Sequence, residues 1–543
     1  MEHTRAAITQ NLAERVCWQA ARRDDSRVAR RLDRQQVVDG VYRLDEGALL
    51  DGFFHVRHEL GVVDWLNDVQ GTAVPRVMVP CVQDVLLDGL KTLYGVERMH
   101  ALPALLCSDE ALMRLVGFNA HQVRQGVCQR GAAKRQGPRT EGPIGPDTLA
   151  AHIVKLHLRD LEALFHGVIR ALAKTGALAP KVTGMVDATD LETTAPDEGC
   201  GHVTRQRRIT DTRGQGHEIE VTVDGWKLIV LIDASTKIPL AGQVVPINEH
   251  EVLSRRALVT QARTHLAGSA RLHTGVVDRG FLDGPDLWWL DQQGILLVVP
   301  AKDHMAATVD AQAQAAAGEG VTIGRRAHTV RHGQGKTART ERLETEVVGI
   351  TGLTTDDQYG TSEHGRHHHR RDFQPNPINA VVVRKWHNRD DGPGGKTVLL
   401  TNAMVDQPLL PFADDDDRSL IEHCGMKESQ PQWSLKHPPQ KTARAVRVHV
   451  LLTWLMFALA TADRLPCEHV EAGADPIGWQ RWRRQLLEQT RDMVIIVAED
   501  CYGFAEDCYG IFPPSTPCYW ASNSKTYHQA SAHAGTFSQS IGS

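Results

Sequence analysis

The chain has 543 residues and a net charge of −5, with 41% hydrophobic and 23% charged residues, as in ordinary soluble globular proteins. This length predicts two or three domains that can each bury a sizeable core. The charge excludes a chain that is basic throughout, so a nucleic-acid binder of this composition must concentrate its lysines and arginines locally.

The first 180 residues predict a mostly helical region. The clearest helix runs from Pro146 to Ala177, where Pro146 suits a helix start and Gly176 suits its end. The polar, glycine-rich and basic stretch 126–145 predicts a loop or hinge. Apolar residues keep helical spacing at Leu149, Ile153, Leu156, Leu164, Val168 and Leu172.

The pattern changes to strands from residue 181 onwards. Apolar runs of strand length, rich in β-branched residues, alternate with one helical pattern, which predicts an α/β fold with a mixed sheet flanked by helices. "DASTKIP" between two of these runs predicts a hairpin turn. The predicted strands are 182–186, 227–232, 240–245 and 295–299, and the predicted helix is 252–266.

Residues 303–410 predict a β-rich insertion that interrupts this core, because the stretch is rich in Gly, His and Thr. Helices are predicted next, within the segment 411–497. The tail 498–543 contains a tandem copy of "AEDCYG" followed by a polar run without periodicity, and no fold is assigned to it. The strands predicted in the insertion are 343–350, 380–385 and 397–401, and the helices that follow are 417–428 and 442–462.

Cysteines and apolar runs indicate the compartment. Ten scattered cysteines form no C-x-x-C pair, which argues against a zinc site and for a reducing cytosol. The N-terminal residues lack the apolar centre of a signal peptide. The longest apolar run, 450–462, is too short to span a bilayer and predicts a buried helix.

Three acidic residues stand in settings that favour a shared site. Asp187 ends the apolar run 182–186, Asp278 ends "HTGVVD", and Glu422 precedes a long helical stretch. Two carboxylates at strand ends and one on a helix can meet at one edge of a sheet. Such a set can hold two magnesium ions, which need hard oxygen ligands and open positions for substrate phosphate. The pattern indicates cutting and rejoining of phosphodiesters.

The order Asp, Asp, Glu, with "DRGF" at Asp278 and Arg-x-x-x-Glu from Arg418 to Glu422, resembles the DDE transposases of bacterial insertion sequences over about residues 100–462. The resemblance implies an RNase H-like core in 181–302 and 411–497. It implies two Mg²⁺ ions, replaceable by Mn²⁺, on the three acids. The chain departs from the family at Asp415, where a Tyr is usual, and at Ser429, where a Lys is usual.

The resemblance also implies the partners: terminal inverted repeats and target DNA, bound by a homodimer in the bacterial cytosol, with the region 1–180 recognising the DNA ends. Two rival hypotheses stay open. One is an RNase H-like nuclease without strand transfer, and the other is an inactive DNA-binding relic. The basic residues expected to contact DNA phosphates are Arg418, Lys427, Lys436, Lys441 and Arg444.

Each of these assignments has an alternative. Arg418 could instead form a local ion pair with Glu422, and the other basic residues could form a solvated helix face. Asp190 could support the site or lie in a turn, whereas Asp233 suits a hairpin turn. The run 414–417 predicts a solvated helix start. Exposed surface is the alternative for the basic runs 205–208, 364–371 and 481–484, and core packing is the alternative to base stacking for Trp386.

Overall fold

The computed structural model describes residues 24–34, 36, 40–44, 61–72, 79–107, 113, 116–118, 122–123, 126–127, 142–193, 199–210, 216–318, 322–332, 339–355, 377–386, 396–421, 433–470, 493–498 and 501–504. The chain divides into two units. One is Met1–Leu172 with Ser429–Ser543, and the other is Ala173–Glu428.

The described residues contain eleven α-helices and thirteen strands, numbered here in chain order. The helices are α1 (Asp25–Asp33), α2 (Val62–Asp68), α3 (Cys81–Leu93), α4 (Leu102–Leu105), α5 (Pro146–Ile153), α6 (Leu158–Lys174), α7 (Arg255–Leu266), α8 (Gly284–Gln292), α9 (Ala306–Ala317), α10 (Leu409–Ile421) and α11 (Ala443–Val470). The strands are β1 (Gly40–Leu44), β2 (Lys181–Thr193), β3 (Gly201–Thr210), β4 (Gly216–Asp233), β5 (Pro239–Pro246), β6 (Arg271–Val277), β7 (Leu296–Pro300), β8 (Thr322–His332), β9 (Arg339–Leu353), β10 (Ile378–Trp386), β11 (Lys396–Thr401), β12 (Met493–Ala498) and β13 (Cys501–Phe504).

One mixed sheet organises the unit Ala173–Glu428. It has ten strands in the order β3-β4-β2-β6-β7-β11-β10-β9-β8, with β5 paired to β4 beside this path. The pairs β2–β6 and β6–β7 are parallel, and β2–β4 and β4–β5 are antiparallel. Helices α7 to α10 pack on these strands. The predicted α/β fold, a mixed sheet flanked by helices, is confirmed.

The neighbouring strands β2 and β4 are longer than their apolar runs predict. β2 continues to Thr193 and β4 begins at Gly216, well before the predicted residue 227. The early half of β4 pairs with β3, and its later half pairs with β5. Backbone pairing therefore extends β4 through residues 216–220, whose side chains are exposed, and β2 through residues 187–193, of which Thr189 and Leu191 are buried.

The separation of residues 303–410 from the core sheet is a prediction that the structure contradicts. The segment is β-rich as expected, and the three predicted strands lie within β9, β10 and β11. However, β11 pairs with β7, with Leu400 opposite Val299, so the insertion continues the core sheet. Leu400 and Val299 are both fully buried, and pairing satisfies backbone groups that an open edge of β7 would leave exposed.

The single helix predicted from Pro146 to Ala177 is two helices, α5 and α6. Residues 154–157 between them bond to another segment instead: the Thr72 amide donates to the Lys155 carbonyl, and the His157 amide donates to the Gln70 carbonyl. These non-local hydrogen bonds interrupt the helix despite its continuous apolar spacing. The predicted end is confirmed, because Gly176 has a φ of +84°, which favours glycine.

Helix α11 runs through the unit formed by Met1–Leu172 and Ser429–Ser543. Its segment Ala443–Ala462 is long and apolar enough to cross a membrane by length and composition, with a mean hydropathy of 1.6. However, 78% of that window is buried inside the protein, so the helix packs as a core element. The predicted buried helix over 450–462 is confirmed.

The beginning of the tail is folded, which corrects the prediction of a weakly structured segment from residue 498. β13 pairs with β12, and β12 pairs with β1 on its other side. Cys501, in the first copy of the tandem repeat, is buried. The apolar strand β12 thus has a partner on both edges. The rest of the tail, 505–543, lies outside the described residues.

Candidate active site

The parallel pairing of β2 with β6 brings two of the three predicted acids together. The last registered pair of this ladder is Val186 with Val277, and both side chains are buried. Asp187 and Asp278 are the next residue on each strand. Neighbouring strands lie about 4.8 Å apart. The backbones of Asp187 and Asp278 are therefore adjacent, and each follows a buried valine.

Asp187 does not end its strand, contrary to the sequence-based expectation. β2 continues for six further residues to Thr193 because β4 pairs along it, with Asp187 opposite Val230. Asp187 instead marks the position at which the parallel neighbour β6 ends. Its side chain is half-buried, and its Oδ1 accepts a hydrogen bond of 2.8 Å from the Ala188 amide.

Asp278 follows the end of β6 and caps a short 3₁₀ helix, Arg279–Phe281. Its Oδ2 accepts a hydrogen bond of 3.5 Å from the Gly280 amide. Phe281 is 1% exposed and anchors this turn in the core, whereas the Asp278 side chain is 48% exposed. The motif "DRGF" therefore presents its carboxylate to solvent on a turn that is fixed by its aromatic residue.

Arg418, on α10, reaches the same carboxylate. Its Nη1 lies 3.3 Å from Asp278 Oδ1, and its Nε lies 3.4 Å from Asp415 Oδ1 on the preceding helical turn. Asp415 occupies the position at which the sequence departs from the transposase pattern. Burial raises the pKa of the Asp415 carboxyl, and the Arg418 guanidinium acts against that rise. The two contacts make a chain from Asp415 through Arg418 to Asp278.

The third predicted acid, Glu422, lies outside the described residues, as does Lys427. Helix α10 is described to Ile421, so the helix predicted to carry Glu422 exists, although it begins at Leu409 rather than at residue 417. Within the described ranges, no group of three or more His, Cys, Asp or Glu side chains could hold a metal ion. The convergence of all three acids stays a prediction.

Glu251 is a neighbour of Asp278 that the sequence analysis missed. Its Oε2 and Asp278 Oδ2 both lie within 3.7 Å of the point where a Cβ on Gly280 would stand. Lys227 on β4 holds Glu251 through a contact of 3.2 Å to Oε1. Glu251 follows the last core hairpin in sequence, but only the folded chain reveals its proximity to Asp278.

The donor set at this edge of the sheet fits a divalent cation. Asp187 and Asp278 supply hard carboxylate oxygens, which Mg²⁺ and Mn²⁺ prefer. The Arg418 guanidinium beside Asp278 shows that this carboxylate already attracts positive charge. Asp187 and Asp278 are thus suited to hold an ion, and Glu422 is the predicted third ligand.

The remaining acids near the site have structural partners. Asp190 Oδ2 accepts a hydrogen bond of 2.9 Å from Arg205 on β3. Asp233 caps its turn, accepting from Ser235 Oγ at 2.6 Å and from the Thr236 amide at 2.8 Å, which confirms the predicted hairpin role. The acidic run 414–417 lies inside α10 rather than at its start, because the helix begins at Leu409.

The basic residues beyond α10 divide by their contacts. Lys436 and Lys441 are exposed, as residues that contact phosphate must be. Arg444 donates hydrogen bonds of 3.1 and 3.0 Å to the carbonyls of Lys155 and Leu156, which gives it a structural role at the break between α5 and α6. DNA contact by these three residues stays a prediction. The runs 364–371 and 481–484 lie outside the described residues, and so does the side chain of Trp386.

The comparison with known proteins finds a family match over the region that contains Asp187 and Asp278. Residues 179–406 match the family described as transposase DDE domain, a stretch that contains Asp187 and Asp278 and ends before α10. No curated protein matches the chain. Among solved structures, it resembles the piggyBac transposase in a synaptic complex with hairpin DNA, with a TM-score of 0.33 and 9% identity, over 83% of this chain and 82% of that chain. A similarity this low transfers no residue or contact.

Proposed function

We propose that this chain, a transposase by the DDE domain in its residues 179–406, cuts DNA at the terminal inverted repeats of an insertion sequence and joins the freed ends to target DNA. The observation that supports this most is the pairing of β2 with β6, which sets Asp187 beside Asp278. Two carboxylates that follow one registered pair of parallel strands, Val186 with Val277, would be suited to divalent ions and phosphate.

Asp187, Asp278 and the predicted ligand Glu422 would hold the divalent ions. When bound, these ions supply charge that stabilises the phosphate oxygens and activates the attacking hydroxyl. Asp187 stands on the rigid centre of the sheet, whereas Asp278 stands on a turn anchored by Phe281. The fixed backbone positions of both acids reduce the reorganisation needed at the reacting phosphate. Arg418, beside Asp278, would contact the phosphate next to the scissile bond.

The partners proposed for this activity are the inverted repeats and a target duplex. Exposed Lys436 and Lys441 would contribute sequence-independent contacts to phosphates, so binding would weaken as salt rises. We further propose a homodimer on DNA, because two ends are joined in one event. The proposed compartment is the bacterial cytosol, a reducing environment that suits scattered cysteines without a C-x-x-C pair.

A strand-transfer assay tests this function against its rivals. The purified chain is mixed with Mg²⁺, a target plasmid and DNA ends already cut at their 3′ termini. A transposase joins these ends to the plasmid, whereas a nuclease only degrades or nicks the DNA. An inactive relic binds the ends without either reaction. Asp190→Asn is the matched control, since it makes the same chemical change three residues along β2 from Asp187 and should preserve joining.

A further inference from the structure

We infer that Asp415 is a positioning residue that holds Arg418 against Asp278, so that in the DNA-free protein the Arg418 guanidinium occupies the cation position of that carboxylate. The inference rests on the proposed function, because it assumes that Asp278 is a metal ligand. It gives a role to the residue at which the sequence departs from its family pattern.

The geometry of Arg418 is that of a bridge between two acids. Its guanidinium contacts Asp415 through Nε and Asp278 through Nη1, at 3.4 and 3.3 Å. The Arg418 side chain is 15% exposed and that of Asp415 is 19% exposed, whereas Asp278 is 48% exposed. The contact between Arg418 and Asp415 is therefore shielded from solvent, whereas the contact between Arg418 and Asp278 involves an exposed carboxylate.

The planar guanidinium explains why this bridge positions its charge. Its nitrogens form a rigid fork, so fixing Nε at one carboxylate restricts where Nη1 can point. Asp415 lies one helical turn before Arg418, where side chains share a helix face. A divalent ion arriving at Asp278 must compete with Arg418, and Arg418 becomes available for a DNA phosphate once it is displaced.

Metal binding to the DNA-free protein tests the inference, because the inference predicts whether each substitution strengthens or weakens Mn²⁺ binding. Free Mn²⁺ is followed by electron paramagnetic resonance during titration of wild type, Asp415→Asn and Arg418→Gln. Removing Arg418 should tighten Mn²⁺ binding about tenfold, and releasing it through Asp415→Asn should tighten binding about fivefold, as for typical coupling between sites. A pure charge effect of Asp415 predicts the opposite sign, because losing a nearby negative charge weakens cation binding.

Asp416→Asn is the matched control. Asp416 is the next residue of the same helix, but it contacts Arg326 Nη1 at 3.3 Å. This variant should weaken Mn²⁺ binding slightly or leave it unchanged. Asp415→Ser repeats the test with a smaller side chain should the Asn variant fold poorly, which a thermal melt shows. In the Arg418→Gln background, Asp415→Asn should produce no further tightening.

The outcomes separate the inference from the proposed function. Weaker binding in Asp415→Asn, unchanged binding in Arg418→Gln, or tightening by Asp415→Asn in the double variant each overturns the role of Asp415. Asp278→Asn reports on the site itself and should abolish Mn²⁺ binding, so that the free-ion signal stays at its full height. Wild-type protein that binds no Mn²⁺, or that binds it equally well without the Asp278 carboxylate, contradicts the proposed function and the inference with it.

Discussion

A buried ion cluster between α7 and α8 allows a quantitative prediction about the unit that carries the active site. Arg255 is fully buried, and its Nη2 lies 3.1 Å from Asp286 Oδ2. Arg256 Nε contacts the other oxygen of Asp286 at 2.5 Å. Burial lowers the pKa of the Arg255 guanidinium, and the charge of Asp286 opposes that change. Nε and Nη1 of Arg255 have no hydrogen-bond partner. The contact with Asp286 therefore offsets much of the free-energy cost of burying the Arg255 charge.

Asp286→Ala should therefore lower the free energy of unfolding by about 3–5 kcal/mol, the usual cost of leaving one buried charge without its partner. Replacing both members with apolar residues, as in Arg255→Met with Asp286→Leu, should recover most of this loss because no buried charge remains. Urea-induced unfolding followed by tryptophan fluorescence measures both effects.

Arg256→Ala is the control, since its side chain is 37% exposed and exposed pairs contribute about 1 kcal/mol or less. A loss below about 1 kcal/mol in Asp286→Ala would refute the reasoning, because it would mean that Arg255 does not depend on Asp286. A double variant no more stable than Asp286→Ala would refute it equally.

Three further predictions concern stability and the site. Burial lowers the pKa of His449 from its ordinary 6.5 to about 3. As pH drops from 6.5 towards 3, the unfolded chain takes up the proton first, so the free energy of unfolding falls. His449→Gln should flatten that part of the pH profile measured by urea unfolding. A Cβ on Gly349 would stand 2.4 Å from the Val405 carbonyl oxygen, so Gly349→Ala should lower the free energy of unfolding by about 1–3 kcal/mol in the same assay. Gly280→Ala places a methyl group at ordinary contact distance from two carboxylate oxygens, so it should fold with an unchanged melting temperature yet weaken Mn²⁺ binding in a titration.

The sequence predicts the Asp187–Asp278 pair because the information is local. Each acid follows a short apolar run, and buried runs of this kind become central strands. The apolar runs do not predict β3 or the first half of β4, because backbone pairing rather than burial forms these strands. The alternation of apolar and polar residues along one strand cannot show which neighbouring strand will pair with it.

Contacts between distant segments explain the errors in domain organisation. Asn402 follows β11 and joins the insertion to the core, since its Oδ1 accepts from the Leu297 amide at 2.7 Å and its Nδ2 donates to Asp291 at 2.6 Å. More than a hundred residues separate these partners in sequence. The composition of the insertion predicts strands, but it contains no signal for the strand that receives them.

The role of Asp415 and the position of Glu251 likewise depend on the folded chain. The sequence shows Asp415 as a departure from a family pattern, whereas the structure shows its contact with Arg418. Glu251 is one of many acids in sequence, and it becomes relevant only because Gly280 leaves space beside it. Side chains that act on a site through their neighbours are those that single-sequence patterns predict least well.

Cleavage of end-bearing DNA by Asp187→Asn tests the central claim most directly. The amide has the size of the carboxylate but lacks its charge, so the fold and the binding of DNA ends should persist while the support for divalent ions is lost. With Mg²⁺ and DNA carrying the inverted repeats, the account predicts that the variant binds ends nearly as tightly as wild type and yields no cut product. Cleavage by the purified variant at the wild-type rate would contradict the assignment of Asp187 to the catalytic site.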